Sequence, residues 1–233
     1  MHIQIIGAGL SGLVCAHSIL DKHKKTPITI YESRPEIGYP QHKPGIVNEF
    51  DKYQNKLKNW GLTKFTRCYS IDGKGGLHRP QLEKDLSINL TQRGVSIFLK
   101  TRVEGASFDQ QGSFSLQSKG AGPNITNSIA NMIIDTTGLQ SPLKSFKQRI
   151  HITQHPTSTW VGGVSISEYI PNTAKWSGQR LDGTTEHWYP VDTIDQDFDW
   201  LSVMEGEFTE EEAFIDSSIE HGISLASLAL ERM

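Results

Sequence analysis

Ile3-Gln4-Ile5-Ile6 runs directly into Gly7-Ala8-Gly9-Leu10-Ser11-Gly12. Four consecutive strand-forming positions suit a strand buried on both faces, as in a parallel sheet. An amphipathic stretch follows, with Leu13, Ala16, His17 and Leu20 at helical spacing, and ends in the polar cluster Asp21–Lys25. Pro27 then precedes a second strand, Ile28–Tyr31, which stops at Glu32. The pattern predicts a βαβ half-unit with a glycine loop at the strand-to-helix turn. In such a loop Gly7 permits the tight turn, Gly9 lets backbone approach a pyrophosphate, and Gly12 lets the helix pack on the strands. Backbone N–H groups at the helix start, aided by the helix dipole, hold phosphate. Glu32 lies twenty residues after Gly12, where a carboxylate accepts ribose hydroxyls and disfavours a 2′-phosphate. The fingerprint predicts a bound dinucleotide and leaves FAD and NAD open; the competing reading is a ligand-free tight turn.

Beyond this unit, Phe50, Tyr53, Leu57 and Trp60 share one face of a predicted helix over Asn48–Trp60, with Gly61 as its C-cap. Pro80 opens another helix, striped by Leu82, Leu86 and Leu90 and stopped by Gly94. Strands are predicted at Val95–Leu99, Ser107–Leu116 and Ile129–Ile134. From about Ile150 to Met204 the chain turns rich in Thr, Ser, Trp and Val, with turn signals at Gly162-Gly163, Pro171-Asn172, Gly178 and Asp182-Gly183. That texture predicts an antiparallel sheet region. Thr209 and Glu212 form a capping-box pattern opening a helix through Ile219. Gly222 then divides it from a second short helix, Ile223–Met233. The expected fold is α/β: a Rossmann-like FAD/NAD(P)-binding domain with a parallel central sheet, plus an antiparallel β-rich layer. The expected blocks are 1–149 for the dinucleotide-binding region, with a β-meander near 107–128, then 150–205 for the β-rich region and 206–233 for a helical segment.

Composition narrows the class. The 233 residues carry 23 basic and 26 acidic side chains for a net charge of −3, which argues against a polybasic nucleic-acid binder. No apolar stretch approaches the ~20 residues of a transmembrane helix, and no secretory signal precedes Ile3, so a cytoplasmic protein is expected. Two cysteines, Cys15 and Cys68, without a CxxC, exclude a disulfide framework or zinc ribbon.

With these residues in view, the sequence resembles the FAD-dependent oxidoreductases of the aromatic-hydroxylase type, geranylgeranyl reductases in particular. Four stretches carry the resemblance: Gly7–Gly12 with Glu32 and Ser33-Arg34-Pro35-Glu36-Ile37-Gly38; the arginine-led His78-Arg79-Pro80-Gln81-Leu82; Lys100-Thr101-Arg102-Val103-Glu104; and Asp135-Thr136-Thr137-Gly138 with Ser141. It implies that Gln81 contacts the flavin ribityl chain, with Arg79 beside it. It also implies that Val103 lies beside adenine and that Asp135 and Gly138 lie against the cofactor. The candidate cofactor residues are thus Gly7, Ala8, Gly9, Leu10, Ser11, Gly12, Glu32, Ser33, Arg34, Arg79, Gln81, Val103, Asp135 and Gly138. Arg34 reads equally as a phosphate-neutralising cation or a surface arginine after a strand, and Arg79 and Gln81 as polar groups of a helix's first turn. More loosely, Glu186-His187-Trp188-Tyr189-Pro190 is similar to the strand that passes over the family's substrate cavity, which implies that the antiparallel β-rich layer is substrate-facing. The chain departs from the family in two places. No G-D-A motif follows Met204, and Lys144 stands near the position of the family's arginine. A shortened or C-terminally incomplete form, or a partner chain completing the flavin site, is therefore expected.

The resemblance implies a flavin-dependent monooxygenase or ene-reductase acting on an apolar, aromatic or isoprenoid molecule by hydride transfer at flavin N5. NAD(P)H would be a transient donor, and a lipid substrate would entail transient membrane contact. An NAD-binding oxidoreductase and a degenerate dinucleotide-binding module are the alternatives. The flavin carries the redox chemistry in such enzymes, so no catalytic side chain is nominated. His151 and His155 lack a third ligand and Pro156 opposes a helix there, so no metal is expected. Cys15 reads as a small core residue, and Trp160, Trp176, Trp188 and Trp200 as core packing in preference to a cavity lining.

Overall fold

The computed structural model describes residues 1–61, 69–71, 74–109, 113–122, 129–138, 141–143, 156–166, 174–193 and 199–233. In chain order the elements begin with β1 (Ile3–Ile6), α1 (Leu10–Lys22), β2 (Ile28–Tyr31), β3 (Ile46–Val47), α2 (Phe50–Asn59), β4 (Tyr69–Ile71), β5 (Lys74–Gly76) and α3 (Arg79–Gln92). Five strands follow: β6 (Ser96–Phe98), β7 (Thr101–Phe108), β8 (Phe114–Gly120), β9 (Ile129–Ala130) and β10 (Met132–Asp135). The remainder is β11 (Ser158–Ile166), β12 (Trp176–Gln179), β13 (Thr184–Pro190), β14 (Ser202–Phe208) and α4 (Ile215–Leu230). Contacts divide the chain into two units, Met1–Tyr39 with Leu86–Gln154 and Ile219–Met233, and Pro40–Asp85 with His155–Ser218.

In the first unit β10-β1-β2-β6 form a parallel sheet, Ile5 registering with Ile134 on one side and Ile30 on the other. Every residue of β1 and β2 is buried, as the uninterrupted strand-forming runs require. An antiparallel sheet β7-β8-β9 adjoins it in sequence. Val103 and Leu116 from its inner face pack with Ile6, Tyr31 and Leu143. The strand predicted at Ser107–Leu116 is divided between two, the end of β7 at Phe108 and the start of β8 at Phe114. β7 and β8 pair antiparallel, and beyond their ends the Asp109 carboxylate accepts the Ser113 N–H at 2.8 Å. The single run Ile129–Ile134 also breaks, at Asn131, whose backbone N–H donates to His2 O at 3.0 Å, so β9 pairs with β8 and β10 with β1.

Helix α4 corrects a second expectation. Gly222 does not end a helix; α4 runs through it. A Cβ there would lie 2.6 Å from Ser11 O and 2.8 Å from Val14 Cβ, so glycine is what lets α4 lie against the first turns of α1. An alanine in mid-helix ordinarily stabilises by about 1 kcal/mol over glycine. Gly222→Ala is expected to reverse that sign and cost roughly 1–3 kcal/mol through overpacking, read as a lower urea midpoint. A rise in the midpoint would show that the two helices do not meet there.

The second unit holds an antiparallel sheet, β12-β13-β11-β14, and a small one, β3-β5-β4. Gly162 and Gly163 lie inside β11 and make no turn, because a Cβ at either would fall 2.7 Å from the Trp188 ring or 2.3 Å from the Trp200 ring. Gly178 is likewise mid-strand, its missing side chain admitting Gly75 O. Only Asp182-Gly183 of the described signals makes a turn, with Gly183 at φ +82° and Arg180 N–H donating to Thr184 O at 2.8 Å. Pro171-Asn172 lies outside the described residues. Trp160, Trp188 and Phe208 pack with Ile46 and Ala213 into one buried cluster, with Trp176 against it. Trp200 stands edge-on to His187 and Tyr189. Trp160, Trp188 and Phe208 fill space in the interior of this unit, and Trp176 and Trp200 are half-buried against it.

Candidate functional site

The first unit assembles the glycine loop from three directions. Gly7 takes φ +98°, which a side chain rarely adopts, and its N–H donates to Tyr31 O at 2.8 Å, tying the loop to β2. Thr136, just past β10, donates through Oγ1 to Ile6 O at 2.8 Å and Gly7 O at 3.1 Å. A Cβ on Gly12 would sit 2.2 Å from Gly7 O and 2.9 Å from Thr136 Oγ1. The first and fourth sequence motifs therefore meet, and Thr136, absent from the candidate residues, is the side chain that joins them. Gly9 behaves differently. A Cβ there would meet nothing within 4 Å, so the loop is open on the side where backbone faces outward.

Helix α1 starts beneath this opening. Gly9 is its N-cap, with no side-chain cap and no acidic residue in the first turn. An uncapped helix start concentrates partial positive charge and backbone N–H donors, the requirement for an anion. At the β2 tip Glu32 is buried, only 4% exposed. Its carboxylate accepts Ala8 N–H at 2.9 Å and Arg34 N–H at 2.9 Å, and the Arg34 guanidinium binds both oxygens at 3.1 and 3.0 Å. Ser33 Oγ donates to the same group at 3.3 Å. Burial works to raise the Glu32 pKa, and Arg34 with the backbone donors outweighs it, holding the carboxyl below its ordinary range. Arg34 thus caps the carboxylate expected to accept ribose, a pairing that the spacing of two residues past a strand end puts in reach.

Asp135 is turned inward on its own loop: it accepts Thr137 N–H at 2.9 Å, Thr137 Oγ1–H and Ser141 Oγ–H. Gly138, at φ +62°, has open space where a side chain would be. Val103 is buried in the core. Arg79 and Gln81 belong to the second unit. There Arg79 donates to Glu83 Oε1 at 3.0 Å, Pro44 O at 3.1 Å and Ser218 Oγ at 3.3 Å, and Gln81 to Asp85 Oδ1 at 2.9 Å. Glu186, on β13, is fully buried. It receives the Arg180 guanidinium, Gln41 Nε2–H at 3.2 Å, Gly45 N–H at 2.7 Å and Trp188 Nε1–H at 2.6 Å. This carboxylate anchors the Gln41–Gly45 loop, a role that no spacing in the sequence announced. Lys144, Cys68, His151 and His155 lie outside the described residues. Among the described residues no cluster of metal-ligating side chains occurs, and no helix is long and apolar enough to cross a membrane. Cys15 is buried, and desolvation pushes its thiol up to about 12, the signature of an inert core cysteine.

Two histidines give the molecule an acid response. His17 lies between Leu86 O at 3.0 Å and the Arg93 guanidinium at 2.9 Å. His187 lies between Ser165 Oγ at 3.0 Å and Ser177 Oγ at 2.8 Å. Burial pushes both rings down to about 4 from 6.5. The unfolded chain therefore binds more protons between those values, and stability falls as pH drops from about 6.5 towards 4. Urea midpoints measured down this range should decline in the native protein and less in His17→Gln and His187→Gln. A flat profile would show that neither ring is held neutral.

A family model for NAD(P)-binding Rossmann-like domains matches residues 5–51. No curated protein matches the sequence. Among solved structures, a geranylgeranyl bacteriochlorophyll reductase-like protein of Thermoplasma acidophilum superposes with TM-score 0.65 at 13% identity, over 99% of this chain and 78% of that one. A flavoprotein/dehydrogenase of Cytophaga hutchinsonii gives TM-score 0.66 at 13% identity, with the same shares of 99% and 78%. Aklavinone-11 hydroxylase, solved with FAD and aklavinone, gives 0.60 at 13% identity over 97% of this chain and 61% of that one. The chain therefore carries a Rossmann-like dinucleotide-binding domain within the fold shared by FAD-dependent aromatic hydroxylases and geranylgeranyl-reductase-like proteins.

Proposed function

We propose that the protein is a flavin-dependent oxidoreductase of monooxygenase or ene-reductase type, acting on an apolar, aromatic or isoprenoid small molecule. One observation carries the reading: the uncapped start of α1 lies under a glycine loop whose open side is at Gly9, with the buried Glu32 at the neighbouring strand tip. In this reading Gly7, Ala8, Gly9, Leu10, Ser11 and Gly12 wrap a pyrophosphate through backbone N–H groups. Glu32, released from Arg34, accepts the ribose hydroxyls, with Ser33 beside it. Val103 backs the adenine, and Asp135 shapes the loop that brings Gly138 to the cofactor. Arg79 and Gln81 are assigned to the ribityl side on the family resemblance. Bound FAD would supply hydride transfer at N5, while the chain's residues position it and exclude water. NAD(P)H would serve as a transient donor. The names of two similar solved structures, an aklavinone-11 hydroxylase with FAD and aklavinone and a geranylgeranyl bacteriochlorophyll reductase-like protein, support an apolar substrate class. A cytoplasmic location, a partner chain completing the flavin site and transient membrane contact with a lipid substrate belong to the same reading.

The match of residues 5–51 to an NAD(P)-binding Rossmann-like domain favours a second reading, an oxidoreductase that takes NAD at the fingerprint. The visible spectrum of the purified protein separates the two. Flavin bands at roughly 370 and 450 nm support the first, since the cofactor and not the polypeptide absorbs there. A colourless protein that takes up NADH but not FAD would establish the second, and one that binds neither would be a non-catalytic module.

A further inference from the structure

Within the first unit, the exposed face of the β7-β8 pair carries an arrangement that the dinucleotide site does not use. Arg102 on β7 registers directly opposite Lys119 on β8, both exposed. Like charges directly opposite on one sheet face repel, and among the described residues neither side chain has an ion-pair partner. Lys100, next to β7, is the one described non-glycine residue with a left-handed backbone, at φ +50°. Such conformations cost energy and persist where their surroundings impose them. Here the chain leaving β8 is pressed onto that segment: a Cβ on Gly120 would lie 1.9 Å from Lys100 O, and one on Gly122 would lie 1.7 Å from Thr101 Oγ1. Glycine at both positions is what closes the wall. The result is a hollow of about 420 Å³ lined by Ser33, Lys100, Arg102, Glu104, Lys119 and Gly120, three cations and one carboxylate. It is tied to the tip of β2, where Thr101 N–H donates to Glu32 O at 2.8 Å and Lys100 N–H to Arg34 O at 3.1 Å.

We propose that this hollow binds a phosphate monoester. A dianion placed between Arg102 and Lys119 turns their repulsion into two charge-assisted contacts, the guanidinium offering a paired donor fork. Lys100 supplies a third cation, and Ser33, whose hydroxyl donates to Glu32, lines the wall beside it. The phosphate has two sources. Carried at the 2′ position of an adenosine ribose, it would arrive with a nicotinamide dinucleotide seated on the glycine loop in place of FAD, a source that rests on the second reading above. Glu32 by itself would repel a 2′-phosphate, but Arg34 already neutralises it through both carboxylate oxygens. Carried on a separate small molecule, or free, it would bind independently of the loop.

Calorimetric titration of the full chain at fixed ionic strength with inorganic phosphate, 5′-ADP and 2′,5′-ADP tests the site and separates the sources. Inorganic phosphate should bind, and Arg102→Gln or Lys119→Gln should each weaken it about tenfold, the loss of one charge-assisted contact. A 2′,5′-ADP preference over 5′-ADP of about tenfold, abolished in either variant, assigns the phosphate to the nucleotide. Equal binding of the two nucleotides, with phosphate binding retained, assigns it to a separate ligand. Phosphate binding without any binding of 5′-ADP or 2′,5′-ADP keeps the hollow and sinks the dinucleotide reading. The proposal is overturned if neither phosphate nor the 2′-phosphate preference responds to Arg102 and Lys119. It is overturned too if, in phosphate-free buffer, Arg102→Gln lowers the thermal midpoint, because a repulsive pair should not be holding the fold.

Discussion

Replacing Gly9 by valine is expected to leave the fold intact and weaken dinucleotide binding by roughly a hundredfold or more, because a side chain there takes the pyrophosphate's place. The structure makes this a clean experiment. Gly9 has φ −73° and ψ 173°, an extended conformation open to valine, and no atom lies within 4 Å of its added Cβ. Gly12, three residues on, should give the opposite pattern. A Cβ there would sit 2.2 Å from Gly7 O, so Gly12→Ala should lower stability before any effect on ligand is seen. Equilibrium binding of FAD or ADP, run beside urea unfolding, reads both. Unchanged affinity in Gly9→Val with an unchanged urea midpoint would place the nucleotide elsewhere.

Glu186→Gln should be among the most destabilising single substitutions in the second unit, costing about 3–5 kcal/mol, because it leaves the Arg180 guanidinium buried without its counter-charge. Glu186 and Arg180 are both buried. The amide keeps one acceptor for Gly45 N–H and Trp188 Nε1–H, but its NH2 takes the place of the oxygen that accepts from Arg180 and Gln41, so a charge and an acceptor are lost together. A double replacement, Glu186→Gln with Arg180→Met, should recover much of the loss, since it removes the uncompensated charge while the amide oxygen still accepts Gly45 N–H and Trp188 Nε1–H. Chemical denaturation of the native protein and the two variants decides the matter. A loss under about 1 kcal/mol in Glu186→Gln would mean that water reaches the pair and screens it.

Much of the fold was legible because local pattern and tertiary need coincide in the nucleotide-binding part. The runs Ile3–Ile6 and Ile28–Tyr31 are buried on both faces as read. Leu82, Leu86 and Leu90 form the fully buried stripe of α3, and Gly61 and Gly94 take the left-handed backbone that ends a helix. Glycine was misread wherever its reason was another element's approach. Gly162, Gly163, Gly178 and Gly222 all sit inside strands or a helix because an aromatic ring or a distant backbone occupies the space of a side chain. The capping box shows a subtler limit. Thr209 and Glu212 do exchange hydrogen bonds, at 3.1 and 3.2 Å, but they close only a short 3-10 turn. Phe214 is extended, so α4 begins afresh at Ile215.

The sequence by itself determined the strand–glycine loop–helix start and the acid at the next strand tip, because those features depend on neighbours in the chain and on backbone sterics. Only the tertiary structure decided what surrounds them. Thr136 arrives under Gly7 because β10 pairs with β1, some 130 residues away. Arg102 faces Lys119 because a bulge between Val103 and Gly105 sets the β7-β8 register. Glu186 meets Gln41 and Gly45 across more than 140 residues. Charges and hydroxyls have no periodicity of their own, so their partners are set by which strands pair and in what register.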